Sequence, residues 1–179
     1  SIDLESQLTL DGDELRGSFT NSSAIEFEDC QLLYGSQAYN VGRVAPGTVA
    51  KIDGSKLPRR VKTLLTNATA GDSTESETAE DGTVSFDYAN KDIARLVKVM
   101  MFYRAIDGPH YTGMLDRYQS FLDLSHLLEQ DNLAILLCRV STPGSQWLDD
   151  AEAIGSDQDR HWTYYRFVVP VGERLESNP

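Results

Sequence analysis

The residues able to do chemistry fall into a few small groups, and their spacing decides what each group can do. Asp123, Ser125 and His126 supply an acid, a hydroxyl and an imidazole within one tetrapeptide. Nucleophilic catalysis needs such groups to converge on one centre, whereas neighbours on a short segment point apart. Capping of a helix start by Asp123 or Ser125 is the better account of this stretch. No G-x-S-x-G elbow occurs. The histidines His110, His126 and His161 are scattered. His126 and Glu129 stand one helical turn apart, but two residues do not make a zinc site. The glycines occur singly beside turn residues, so no phosphate-cradling loop is written here.

Oxygen ligands are more concentrated. Asp149, Asp150, Glu152, Asp157 and Asp159 crowd one connection. Calcium takes several oxygens, which makes Asp149, Asp150, Asp157 and Asp159 its candidate ligands, although the EF-hand pattern is absent. A solvated acidic loop is the default expectation, and no cofactor is expected. The whole connection, Ser141 to Arg160, is long for a compact domain, and long connections are often functional. It carries Trp147 and leads into His161 and Trp162. Trp147, Asp149, Asp150 and His161 are therefore the candidate contact residues, against the competing expectation that Trp147 folds back onto the core.

Cys30 and Cys138 each sit in an apolar, strand-like stretch. They are either two buried hydrophobes or a disulfide between strands, and spacing does not choose between these. Asn21-Ser22-Ser23 and Asn67-Ala68-Thr69 fit the N-glycosylation tripeptide.

Charge narrows the partners. The formal net charge is −12. A chain this acidic lacks the basic stripe that nucleic acid requires, and it is repelled by anionic lipid. The longest unbroken apolar run is Leu133 to Cys138, far short of a membrane span. The chain opens inside a strand without Met, so it is expected to be part of a larger protein whose targeting or membrane segments lie elsewhere. The expected partner is another protein or the parent chain itself.

These side chains need elements to position them. Leu4, Leu8 and Leu10 alternate with polar residues, as a half-buried strand requires. Asp11-Gly12-Asp13 supplies a turn before a second strand through Leu15 and Phe19. Further strands are expected at Cys30 to Tyr34, Ala38 to Val44 and Thr48 to Ile52, with Pro46-Gly47 turning between the last two. The pattern then becomes helical. Val61, Leu64, Leu65 and Ala68 fall at helical spacing, with Pro58 in the first turn and Arg59, Arg60 and Lys62 on the same helix. Gly71 to Gly82 carries acids but no bases or aromatics and reads as a solvated loop, which could pair with that basic helix. A second helix is expected from Lys91 to Arg104, capped by Asn90, with Ile93, Leu96, Val97, Met100 and Met101 as its apolar face. A third, short helix is expected at Leu124 to Gln130. Strands return at Leu133 to Val140 and Trp162 to Val171.

The opening residues resemble a group of bacterial envelope modules with an immunoglobulin-like sandwich, including the FxLYD type. The segments concerned are Leu15 to Ser23, Glu28 to Gly35 and Gly42 to Gly47. Gln31 stands where the name motif has Phe, and Gly35 where it has Asp. The resemblance implies an accessory or interaction role outside the membrane, in the periplasm or at the cell surface, and no catalytic residues. The expectation is thus a single domain over residues 1–179, mainly β. It would be an immunoglobulin-like β-sandwich of about seven strands, with a helical insertion over residues 55–130.

Overall fold

A computed structural model describes residues 3–66, 86, 89, 91–114, 120–143, 147–149, 152–154 and 160–172. The chain is mostly β, in two antiparallel sheets, with a few short helices. The smaller sheet has the order β1 (Leu4–Asp11), β2 (Glu14–Asn21), β5 (Val49–Ile52). The larger contains β3 (Phe27–Tyr34), β4 (Gln37–Val44), β6 (Arg59–Arg60), β7 (Leu133–Pro143) and β10 (Arg160–Pro170), ordered β10-β7-β3-β4-β6. A separate hairpin joins β8 (Trp147–Asp149) to β9 (Glu152–Ile154). Among the described residues the helices are α1 (Val61–Thr66), α2 (Ile93–Met101) and α3 (Gly108–Thr112), and a 3-10 turn covers Ser125–Leu127.

The chain divides into two compact units. The first holds Ser1–Leu32, Asn40–Lys56 and Ile135–Pro179. Here the alternation in the sequence becomes burial. In β1, Leu8 is buried while Glu5 and Gln7 are exposed, and in β2, Leu15 and Phe19 are buried. β1 and β2 pair along their whole length, from Leu4 opposite Asn21 to Asp11 opposite Glu14. Gly17 is needed inside β2, because its φ is +130° and a Cβ there would collide with the Gln7 backbone. In β7, Ile135, Leu136, Leu137 and Cys138 are all at most 1% exposed, as the continuous apolar run requires of a strand with a neighbour on each side.

Asn21 ends β2 and acts as a knot. Its side-chain amide donates to the carbonyls of Ile25 (2.8 Å) and Val44 (3.0 Å), and its Oδ1 accepts from the backbone and hydroxyl of Ser23. The residue is fully buried, so its match to the glycosylation tripeptide reflects a structural need. Asn67, in the other tripeptide, lies outside the described residues.

The second unit holds Leu33–Tyr39 and Leu57–Ala134. Arg59 and Arg60 do not lie on the helix expected for them. They form β6 opposite Ala38 and Gln37, and the helix begins only at Val61, whose N–H donates to Ser36 O. α2 is shorter than its apolar pattern suggested, and its N-cap is Asp92, which accepts from the Arg95 N–H at 3.0 Å. Asn90, expected in that role, is outside the described residues, as are Ala68 and the acidic segment 71–82. At the end of α2, Phe102, Tyr103 and Ile106 are fully buried. The Tyr103 hydroxyl lies 2.7 Å from the Thr112 hydroxyl and 2.6 Å from Met114 O. Gly108 packs against the Tyr103 ring so closely that a Cβ would enter it.

Candidate functional site

The Asp123-Leu124-Ser125-His126 stretch opens only a 3-10 turn, Ser125–Leu127, in place of the helix expected at Leu124 to Gln130; its N-cap position is Leu124, and no side chain caps it. The buried Asp123 carboxylate accepts from the Ser125 N–H (2.9 Å) and hydroxyl (2.5 Å), and from the Arg104 N–H. The Ser125 hydroxyl in turn accepts from the Ala105 N–H at 2.9 Å. The hydroxyl is therefore engaged as donor by the Asp123 carboxylate and as acceptor by a backbone N–H, while His126 is exposed. Among the described residues, no three His, Cys, Asp or Glu side chains converge to hold a metal. Two open hollows, of about 510 and 380 Å³, are lined mainly by backbone turns and basic side chains, including Arg60 and Lys62 in one and Lys51 and Lys56 in the other. Neither brings a histidine or a pair of carboxylates to its wall.

Part of the long connection lies among the described residues. Trp147 and Asp149 lie on β8, where they pair with Ile154 and Glu152 of β9. Asp150, Asp157 and Asp159 lie outside the described residues, so the structure does not gather the candidate calcium ligands or separate them. His161 is the second residue of β10 and is exposed. Cys30 and Cys138 are buried free thiols on the adjacent strands β3 and β7.

The most distinctive surface in the first unit lies beside His161. His161, Trp162 and Thr163 at the start of β10 are all exposed, and the strand alternates only toward its end, where the odd positions turn inward: Val169 is buried, and Phe167 packs against Phe27 at 5.6 Å and Tyr165 at 6.3 Å between ring centres. Its even positions Trp162 and Val168 are 50% and 52% exposed, and Arg166 is exposed as well. β10 ends the sheet order, with β7 as its hydrogen-bonded neighbour. From β7 the Arg139 guanidinium lies 4.0 Å from the Trp162 ring centre. Its Nη2 meets the Glu28 carboxylate of β3 at 3.4 Å.

The three side chains therefore form a row across three neighbouring strands. Glu28 orients Arg139, and Arg139 lies against Trp162. A cation over an indole contributes about 0.5–1 kcal/mol at an exposed site, enough to favour one orientation of the ring. An exposed Trp held in place keeps its large apolar face available at low entropic cost, a feature of contact hot spots. The candidate contact residues read from the sequence, Trp147, Asp149, Asp150 and His161, did not include Arg139 or Glu28. The available signal for Arg139 was a charge next to the apolar run of β7.

No curated protein and no solved structure matches this chain. Residues 3–116 match the profile of a family described as a domain of unknown function (DUF8725), a span that runs from β1 past α3. That span is more than half of the chain, which therefore belongs to the DUF8725 family.

Proposed function

We propose that this chain is a non-catalytic interaction domain of an extracytoplasmic, immunoglobulin-like type, belonging to a bacterial membrane protein. The observation that carries the reading is the braced aromatic on β10: Trp162 is half exposed, Arg139 lies against it from the adjoining strand β7, and Glu28 on the next strand, β3, holds Arg139. Val168 extends the apolar contact along the same face, and Arg166 adds a cationic edge. The partner is a protein with an apolar recess for the indole and carboxylates near Arg166. The resemblance to FxLYD-type modules supports the sandwich type and the location. No helix among the described residues is long and apolar enough to cross a membrane.

Site-specific photocrosslinking in the native membrane tests the proposal. A crosslinker placed at Val168 on β10, on the same face as Trp162, is expected to capture a defined partner, and one at Asp13 is not. The Trp162→Ala variant is expected to lower the recovered complex at least tenfold while leaving the thermal midpoint nearly unchanged. Equal capture at both positions, or capture indifferent to Trp162→Ala, would exclude this face as the contact.

A further inference from the structure

Cys30 and Cys138 are each 0% exposed, and both are free thiols. They lie on β3 and β7, hydrogen-bonded neighbours in the larger sheet. Two contacts fix the direction of these strands. Glu28 near the start of β3 meets Arg139, whereas Tyr34 at its end donates to Asp131 O, just before β7, at 2.9 Å. The strands therefore run antiparallel, and both cysteines fall between those contacts. Opposed residues on antiparallel neighbours have Cα atoms about 4.5–5.5 Å apart, within the roughly 4.4–6.8 Å range of disulfides. The two thiols also act on each other: the Cys30 thiol first, and burial second, push the Cys138 thiol well above its ordinary range.

We infer that Cys30 and Cys138 close into an intramolecular disulfide while the chain folds, and that the finished sheet then seals the pair from solvent. The reaction is thiol–disulfide exchange with a small disulfide such as oxidised glutathione. One cysteine thiolate attacks that disulfide, forming a mixed disulfide and releasing one small thiol. The second cysteine thiolate displaces the other. Two protein thiols lose two electrons and two protons, and one small disulfide is reduced to two thiols. Exchange needs a thiolate that can reach the oxidant. Before the sheet closes, both sulfurs meet that need, and afterwards neither does. The bond thus records the redox condition in which the chain folded. It is independent of the Trp162 surface, because the pair is buried and the reaction needs no partner protein.

The full chain, unfolded under reducing conditions, would be refolded in parallel with a glutathione redox buffer and with reductant alone. Thiols would then be counted after denaturation, and the intact mass measured. Oxidative refolding is expected to give a monomer with no reactive thiol and a mass lower by two hydrogens. The chain folded reduced is expected to keep both thiols when the same buffer is added afterwards for the same time. Retained thiols, glutathione adducts or disulfide-linked dimers after oxidative refolding would overturn bond formation. Rapid closure in the already folded chain would overturn the sealing. Thiol count and mass are read on the wild-type chain, so the result does not depend on whether a cysteine variant folds.

Discussion

Strand β7 and helix α2 both read as apolar stripes, yet they end in different surroundings. From Ile135 to Cys138 every residue of β7 is buried. In α2 only Val99 and Met101 are buried, whereas Leu96, Val97 and Met100 are half-buried and Ile93 is 66% exposed. The cause is geometric. A strand with neighbours on both sides can be covered on both faces, so consecutive residues are enclosed. A two-and-a-half-turn helix turns only one stripe inward, and its first turn is the least enclosed. Apolar composition therefore marks a structural core more reliably in β7 than in α2.

The largest effect that would test this contrast is truncation in the strand. Leu136→Ala is expected to cost about 2–5 kcal/mol, and Val97→Ala in α2 less than about 1.5 kcal/mol, by denaturant unfolding. Comparable losses at the two positions would break the comparison. Polar knots sharpen it next. Asn21→Ala removes the side-chain donor to the Val44 carbonyl and one of the two to the Ile25 carbonyl, and is expected to cost about 1–3 kcal/mol. In the helical unit, Tyr103→Phe removes a hydroxyl bonded to Thr112 and Met114 and should cost about 0.5–1.5 kcal/mol on the same assay. Ile93→Glu, at the exposed start of α2, should change stability by no more than about 0.5 kcal/mol.

The smallest effect is electrostatic. The Ser55 hydroxyl first, and the Ser55 backbone N–H second, hold the Asp53 carboxyl below the ordinary aspartate range. A folded-state pKa below the unfolded one contributes stability above the unfolded value, and that contribution is lost as pH falls through the folded one. Ser55→Ala should raise the Asp53 pKa toward the ordinary value in an NMR titration, with little change in the unfolding midpoint at neutral pH. An unmoved titration would show that the hydroxyl does not set it.

The seven strands that alternation and apolar runs suggest are all present, because a strand's period is local and its burial follows side by side. The helical part was less legible. Arg59 and Arg60 had helical neighbours but became a strand, since pairing with Gln37 and Ala38 was open to them through the fold. α3, only five residues long, carries too little periodicity to be read. A local role for Asp123 and Ser125 was visible because side-chain bonds to nearby backbone are short-range, but the two bond each other and the Arg104 and Ala105 N–H groups rather than capping a helix.

What the sequence by itself determined are features carried by neighbouring residues: strand alternation, the turn at Gly12, the Asp123–Ser125 contact, and the acidic net charge. The tertiary structure decided what depends on residues far apart in the chain. It put Glu28, Arg139 and Trp162 in one row, placed Cys30 and Cys138 on adjacent strands, and buried Asn21 against Val44. The physical reason is that sheet neighbours are chosen by long-range pairing: the order β10-β7-β3 joins strands from the two ends of the chain, and no local pattern encodes which strand lies beside which.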